Sequence, residues 1–276
     1  MGKLGVLFVH GMGHQSRAYA DQMIDELKQR VARTGSDPGD IEFKPAYWGD
    51  LLESREESLL RRMCAGGDLD WVRIRRELVV SGLGDAIAYV GPGTAESMYY
   101  GAMHARIETA LSQLQEQLDG NEHAPVVIVA HSLGCAMVSN YLWDAQRDTP
   151  WARGNTALTR GETVAGLVTM GCNLPLFTLA LRPNEVQAVS LPGIRAEAAF
   201  RDKAEFREHA GWVNFYDPDD VLSYPLKPTS ASYAKAVKHD IAVNSGPIWS
   251  AHTSYWTDND VTVPVAKRLV GLLKAI

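Results

Sequence analysis

Ser132 lies in the pentapeptide A-H-S-L-G, residues 130–134, directly after the apolar run P-V-V-I-V, residues 125–129. The run is short and rich in β-branched residues, so it predicts a strand buried on both faces, followed by a helix from Ser132 to Trp143. At such a corner a strained backbone projects the serine hydroxyl away from the sheet, beside the N–H of Leu133. The pattern favours a nucleophilic serine over one that only caps an ordinary helix.

A nucleophilic serine needs an imidazole to take its proton and a carboxylate to orient that imidazole. His252 follows the last predicted strand and precedes the terminal helix, so its loop can bend over the edge of the sheet. His239 precedes that strand, and His209 comes before the acidic residues, so both fit less well. We therefore expect His252 to be the base.

The acid is expected in the segment D-P-D-D, residues 217–220, which follows the strand predicted for 212–216. Asp217, Asp219 and Asp220 are all candidates, because an aspartate beside a proline can simply cap its turn. The order serine, aspartate, histidine is the one expected on an open α/β sheet. Each member also follows the carboxyl end of a predicted strand, where such sheets place their sites.

A second glycine-containing loop, H-G-M-G-H at residues 10–14, follows the strand predicted for residues 4–9. Its spacing fits neither the dinucleotide-binding pattern nor the phosphate-binding loop, which disfavours a nucleotide site. The alternative is an oxyanion hole, in which the N–H groups of Met12 and Leu133 would approach a substrate oxygen. For His14 and His131 we expect structural rather than catalytic roles.

Composition limits the class of protein. The chain has 276 residues, 46% of them hydrophobic and 22% charged, which is typical of a globular enzyme. A net charge of −6 gives no reason to expect a nucleic-acid partner. No signal peptide or transmembrane segment is predicted, and three cysteines do not suggest a disulfide framework, so we expect a cytoplasmic protein. The histidines are not spaced as a metal cluster, and no cofactor is implied.

Strands and helices alternate along the chain, which predicts a mostly parallel central sheet flanked by helices in a single domain, residues 1–276. Further strands are predicted at 41–48, 164–170 and 241–243. A helix capped by Ser16, an amphipathic helix around 103–118 and a terminal helix around 262–272 are also expected. Residues 172–210 are rich in loops and could wall one side of a pocket. Residues 49–96 predict a helical insertion, either a lid over the site or a cover for the sheet.

The motifs of residues 10–13, 130–134, 216–220 and 250–256 together resemble those of the α/β-hydrolase superfamily, near its lipases and esterases. The resemblance implies an α/β-hydrolase fold and a two-step acyl transfer to water. It also favours Asp220 as the acid, with Asp217 second and Asp219 third, because Val221 follows the aspartates. Ala130 departs from the usual first glycine of the pentapeptide, and the first motif comes unusually early in the chain.

These observations predict a serine hydrolase that cleaves a small-molecule acyl ester, with Ser132, Asp220 and His252 as its triad. A lipase, thioesterase or acyltransferase on the same site is an alternative, as is a binding module without catalysis. The acyl length, the leaving group and the oligomeric state are not predicted.

Overall fold

A computed structural model describes residues 2–13, 15–66, 84–90 and 98–276, and its centre is a sheet of six parallel strands. The strands are β1 (Leu4–Val9), β2 (Ile41–Ala46), β3 (Val126–His131), β4 (Val164–Met170), β5 (Gly211–Tyr216) and β6 (Val237–Ala242). Their order in space is β2-β1-β3-β4-β5-β6. Because the strands are parallel, their carboxyl ends meet along one edge, which we call the carboxyl edge.

Helices connect the strands. They are α1 (Asp21–Arg33), α2 (Asp50–Gly66), α3 (Gly84–Val90), α4 (Met98–Gln117), α5 (Leu133–Arg147), α6 (Ile194–Phe200), α7 (Ala204–His209), α8 (Ala231–Ala236), α9 (Ile248–Ser254) and α10 (Asn259–Ala275). A short 3-10 helix, Leu174–Thr178, follows β4. In the described part of the chain no helix combines the length and apolarity needed to cross a membrane.

Each face of the sheet has its own hydrophobic core. Alternate residues of β3 point to opposite faces, so Ile128 packs with α4 and α5, whereas Val127 and Val129 pack with α1 and α10. We name these the α5 face and the α10 face. The central strands are buried on both faces, which explains their nearly continuous apolar sequences.

The predicted α/β class, with a parallel sheet between helices, is confirmed. Among the differences from the prediction, three concern residues that were named as candidates. The last strand starts at Val237, so His239 lies inside it and not before it. The first helix begins at Asp21, without a side-chain cap from Ser16, because a turn occupies the intervening residues. His252 lies in the short helix α9 and not in a loop.

The described parts of segment 49–96 are α2 and α3. The helical insertion predicted for this segment agrees with α2, where the side chains of Leu59 and Met63 are 41% and 51% exposed. Tyr89 of α3 is fully buried, with its hydroxyl 3.0 Å from His104 Nε2 on α4 and 3.0 Å from Asn140 Nδ2 on α5. Helix α3 is therefore anchored to the α5 face. The apolar residues Trp71, Ile74 and Leu78 of the same segment lie outside the described residues.

Candidate active site

Ser132 occupies the corner between β3 and α5 in a conformation that few residues adopt. Its φ of 53° and ψ of −126° are uncommon for a residue that has a Cβ, and such backbone strain costs about 1–3 kcal/mol. The surroundings require small neighbours. A methyl group on Gly11 would lie 2.5 Å from the Cβ of Ser132, and one on Gly134 would lie 2.5 Å from the carbonyl oxygen of His10. The glycine-containing loop therefore packs directly against the serine corner.

His252 reaches this serine from α9. Its Nε2 lies 2.8 Å from Ser132 Oγ, and its Nδ1 lies 2.8 Å and 3.0 Å from the two carboxylate oxygens of Asp220. The histidine side chain is 22% exposed, whereas that of Asp220 is 1% exposed. With Nδ1–H donating to the carboxylate, Nε2 has a free lone pair toward the serine hydroxyl, which is the tautomer a proton acceptor needs.

Asp220 remains ionised although it is buried. Burial opposes its charged form, but the hydrogen bonds from His252, the Leu222 N–H and the Tyr255 hydroxyl outweigh that cost and hold the pKa below its ordinary value. The carboxylate can therefore orient the imidazole and balance a positive charge on it.

Asp217 faces a different set of partners. Its Oδ2 accepts from the backbone N–H of Ser245 at 2.6 Å and from the Ser245 hydroxyl at 2.8 Å, while its Oδ1 accepts from the Asp219 N–H. Asp219 itself is exposed. Of the three predicted acids, the structure therefore brings only Asp220 against His252, and Asp217 ties its turn to the segment before α9.

The remaining predicted histidines lie in other environments. His131 is buried, and its Nε2 donates to the backbone carbonyl of His252 at 2.6 Å. Burial, together with the nearby imidazole of His252, lowers the pKa of His131 to about 3, so it is neutral. His239 is exposed on β6, and His209 packs over Gly271 of α10. His14 lies outside the described residues.

The glycine-containing loop is held from both sides. On one side, His10 stacks on Trp48 with ring centroids 4.6 Å apart, and its Nε2 accepts from the Trp48 N–H at 3.1 Å. On the other side, the Gly13 N–H donates to Asp85 of α3 at 2.9 Å. Met12 lies between these attachments, next to Gly11, and Leu133 directly follows Ser132 as the first residue of α5. The loop residue that packs against Ser132 is thus Gly11, and Met12 and Leu133 are the chain neighbours of that contact.

The environment of Asp85 changes its protonation. The carboxyl is almost completely buried, and burial together with a hydrogen bond to Glu56 raises its pKa to about 8, against the opposing effect of the Gly13 N–H. At neutral pH the side chain is therefore mainly protonated and can still accept from Gly13.

No protein-family model and no curated protein matches the chain. Solved structures do. One is described as LipS and LipT, metagenome-derived lipolytic enzymes, with 14% identity, 99% of this chain and 94% of that chain covered, and a TM-score of 0.42. Est1E from Butyrivibrio proteoclasticus has 11% identity. The match covers 97% of this chain and 86% of that chain, with a TM-score of 0.41. Alpha/beta hydrolase domain-containing protein 10 from mouse has 14% identity. The match covers 98% of this chain and 88% of that chain, with a TM-score of 0.40.

All three TM-scores are below 0.5, so these likenesses carry no argument about this chain. The chemistry of the site has to be argued from its own geometry.

Two contacts of the site are not predicted from the sequence. Asp85 contacts a loop 72 positions earlier in the chain, and nothing in its own segment marks it. The hydroxyl of Tyr255 bridges the acid turn, since it accepts from the Asp217 N–H and donates to Asp220. Tyr255 belongs to the motif at 250–256, so its proximity to His252 was the available signal.

Proposed function

We propose that this protein is a serine hydrolase that cleaves carboxylic esters through an acyl-enzyme. The observation that carries the proposal is the unbroken hydrogen-bond chain from Asp220 through His252 to Ser132, with 2.8 Å at both contacts of the imidazole. The three groups follow different strands and meet at the carboxyl edge, where open α/β sheets hold their reactive groups.

In the proposed reaction, Ser132 Oγ attacks the ester carbonyl while His252 Nε2 takes its proton. The histidine then gives this proton to the leaving alcohol, and the acyl group remains on the serine. A water molecule, deprotonated by the same nitrogen, attacks the acyl-enzyme and releases the acid. Asp220 keeps the imidazole in the required tautomer and stabilises its charged form.

The negative oxygen of the tetrahedral intermediate would be bound by the N–H groups of Met12 and Leu133. The close approach of the loop to the serine supports this assignment, because Gly11 leaves no room for a side chain between the two. In well-studied hydrolases, removing one such donor lowers kcat by about 10²–10³-fold.

The wider proposals follow from the same site. We propose a small-molecule acyl ester as the substrate, with lipase, thioester or acyl-transfer activity as alternatives in which the same acyl-enzyme forms. We propose one domain over residues 1–276, with 49–96 as its helical insertion. The three cysteines are free, which supports a reducing compartment such as the cytoplasm.

Labelling with a fluorophosphonate tests the nucleophile. The wild type should be modified at Ser132, and Ser132→Ala should not react. Ser112→Ala, which removes an exposed hydroxyl on α4, is the matched control and should label like the wild type. A folded wild type that does not label and hydrolyses no p-nitrophenyl acetate would instead support a binding module.

A further inference from the structure

Tyr255 connects the acid of the site to the helix that carries the base. It follows the last residue of α9 and comes three positions after His252, so the two side chains leave the helix on the same side. Its hydroxyl donates to Asp220 Oδ2 at 3.0 Å and accepts from the backbone N–H of Asp217 at 2.9 Å. One hydroxyl therefore contacts both ends of the acid turn, residues 217–220.

The chemistry of the partners fixes the direction of both hydrogen bonds. A backbone N–H can only donate, so the hydroxyl oxygen accepts from Asp217. An ionised carboxylate can only accept, so the hydroxyl proton goes to Asp220. Burial, together with the charge of Asp220, raises the pKa of Tyr255 above its ordinary value. The hydroxyl therefore keeps its proton and remains a donor to the carboxylate near neutral pH.

The ring of Tyr255 holds this hydroxyl in place. The side chain is fully buried in the α10 core. Gly171, which follows β4, makes room for it, because a methyl group on Gly171 would lie 3.0 Å from Tyr255 Cε2 and 3.0 Å from His131 Nε2. Since the ring is enclosed, the hydroxyl selects one orientation of the Asp220 carboxylate.

The carboxylate of Asp220 divides its charge among several donors. Its Oδ2 accepts from the Tyr255 hydroxyl and also from Nδ1 of His252 at 2.8 Å. Its Oδ1 accepts from the Leu222 N–H at 3.0 Å. Two donors on one oxygen share the same negative charge. The hydroxyl therefore weakens the attraction within the acid–base pair of Asp220 and His252, while it fixes the oxygen that the imidazole faces.

Histidines at two neighbouring strand ends and two aspartates of the acid turn also lie near this acid–base pair. Burial lowers the pKa of His131 to about 3 and that of His10 to about 4, so both are neutral. Asp217 accepts hydrogen bonds from a serine before α9, and Asp219 is exposed. The hydroxyl of Tyr255 donates to the acid of the pair itself. Its removal therefore acts first on the acid–base pair.

We propose that Tyr255 is a positioning residue for the reaction: its hydroxyl holds Asp220 against His252 and sets the pH above which the imidazole can act as the base. The inference rests on the proposed function for its catalytic meaning, whereas the hydrogen bonds that it invokes exist without substrate. Without the hydroxyl, the carboxylate is still held by the Leu222 N–H and by the imidazole. More of its charge then acts on the imidazole, which should keep its proton to a higher pH.

The test compares Tyr255→Phe with Tyr141→Phe. Phenylalanine keeps the ring at either position, and Tyr141→Phe also removes a buried hydroxyl, one that donates to the Thr159 carbonyl from α5. NMR follows the titration of the His252 ring, whose signal is assigned by its absence in His252→Gln. The midpoint should rise by about 0.5 pH unit or more in Tyr255→Phe and stay within about 0.2 unit of the wild type in Tyr141→Phe.

The pH dependence of kcat/KM for p-nitrophenyl acetate is the second measurement. In Tyr255→Phe its acid limb should move up by the same amount as the NMR midpoint. The plateau should fall by about tenfold, because one hydrogen bond that orients the carboxylate is lost. Tyr141→Phe should keep the wild-type profile. A tyrosine that served only the packing of the core would leave the midpoint of the profile where it is.

An NMR midpoint that is unchanged or lower in Tyr255→Phe would overturn the inference, as would an equal shift in both variants. Failure of the proposed function gives a different result. If the NMR midpoint rises as expected but the wild type neither hydrolyses the ester nor reacts with a fluorophosphonate, the contact is confirmed and the hydrolase proposal is wrong. If hydrolysis requires Ser132 and the midpoint does not move, only the role of Tyr255 is wrong.

Discussion

At the scale of single residues, the structure gives different partners to two aspartates, Asp217 and Asp220, that lie three positions apart in the sequence. Asp220 is directed at His252, whereas Asp217 accepts two hydrogen bonds from Ser245. His131 adds a link that joins the neighbour of the nucleophile to the backbone of the base. This contact fits the structural role expected for His131, because a displacement of that carbonyl would move the imidazole with it.

Asparagine substitutions distinguish the two acids. Asp220→Asn should lower kcat by about 10³–10⁴, because an amide cannot hold the required tautomer or balance the imidazolium charge. Asp217→Asn should mainly lower stability, by about 1–3 kcal/mol, because hydrogen bonds at a buried acceptor are weakened. Steady-state kinetics and urea unfolding of both variants provide the comparison. The reverse ranking in kcat would assign the catalytic role to Asp217.

At the scale of elements, α3 connects the glycine-containing loop to the body of the protein. Asp85 accepts from Gly13 at one end of the helix, and Tyr89 is buried against α4 and α5 at the other. If segment 49–96 acts as a lid, an opening that includes α3 has to break both attachments and would release the loop as well. Opening and assembly of the oxyanion-binding groups would then be coupled.

The raised pKa of Asp85 gives this contact a dependence on pH. An unfolded aspartate releases its proton near pH 3.8, but in the folded protein the group keeps it to about pH 8. Between these two pKa values the folded state binds more protons than the unfolded state. The contribution of Asp85 to the free energy of unfolding is therefore full below pH 3.8 and declines as the pH rises toward 8. Asp85→Asn does not titrate and preserves an acceptor for Gly13.

The stability of wild type should therefore fall more between pH 5 and pH 8 than that of Asp85→Asn, with a difference of up to roughly 1 kcal/mol per pH unit. Urea unfolding at both pH values measures it. Asp219→Asn, which changes an exposed carboxyl, serves as the control and should follow the wild type. Parallel curves for wild type and Asp85→Asn would contradict the assignment.

At the scale of the whole molecule, the sheet separates two cores that serve the site differently. The α5 face includes the helix that begins directly after Ser132, and the α10 face carries the base through α9. Helix α10 packs against α1 and α7, and Leu269 and Leu272 are fully buried in that core. The position of His252 therefore depends on a helix that begins seven residues after it.

Leu269→Ala should destabilise the protein by about 2–5 kcal/mol, because it leaves a cavity in the α10 core. Val263→Ala on the same helix is a matched control, since Val263 is partly exposed, and it should change stability by less than about 0.5 kcal/mol. Thermal unfolding followed by circular dichroism compares them. Equal losses would mean that α10 is not packed as described.

The sequence predicts the central sheet well, because strands buried on both faces have continuous apolar runs, as β1 and β4 do. It predicts β6 poorly. That strand lies at the edge of the sheet and has three polar residues in a row, Lys238, His239 and Asp240, so its beginning at Val237 is not marked. The serine, the acid turn and His252 could be proposed from motifs. The contacts of Asp85 and of His131 could not, because their partners are 72 and 121 residues away.

The unusual backbone angles of Ser132 have a practical consequence for engineering. Glycine adopts a positive φ without steric cost, so a search for heat-resistant variants would rank Ser132→Gly among its best choices. The resulting protein would tolerate higher temperatures and would have lost its reactive oxygen. A stabilisation programme for this chain should therefore hold position 132 fixed.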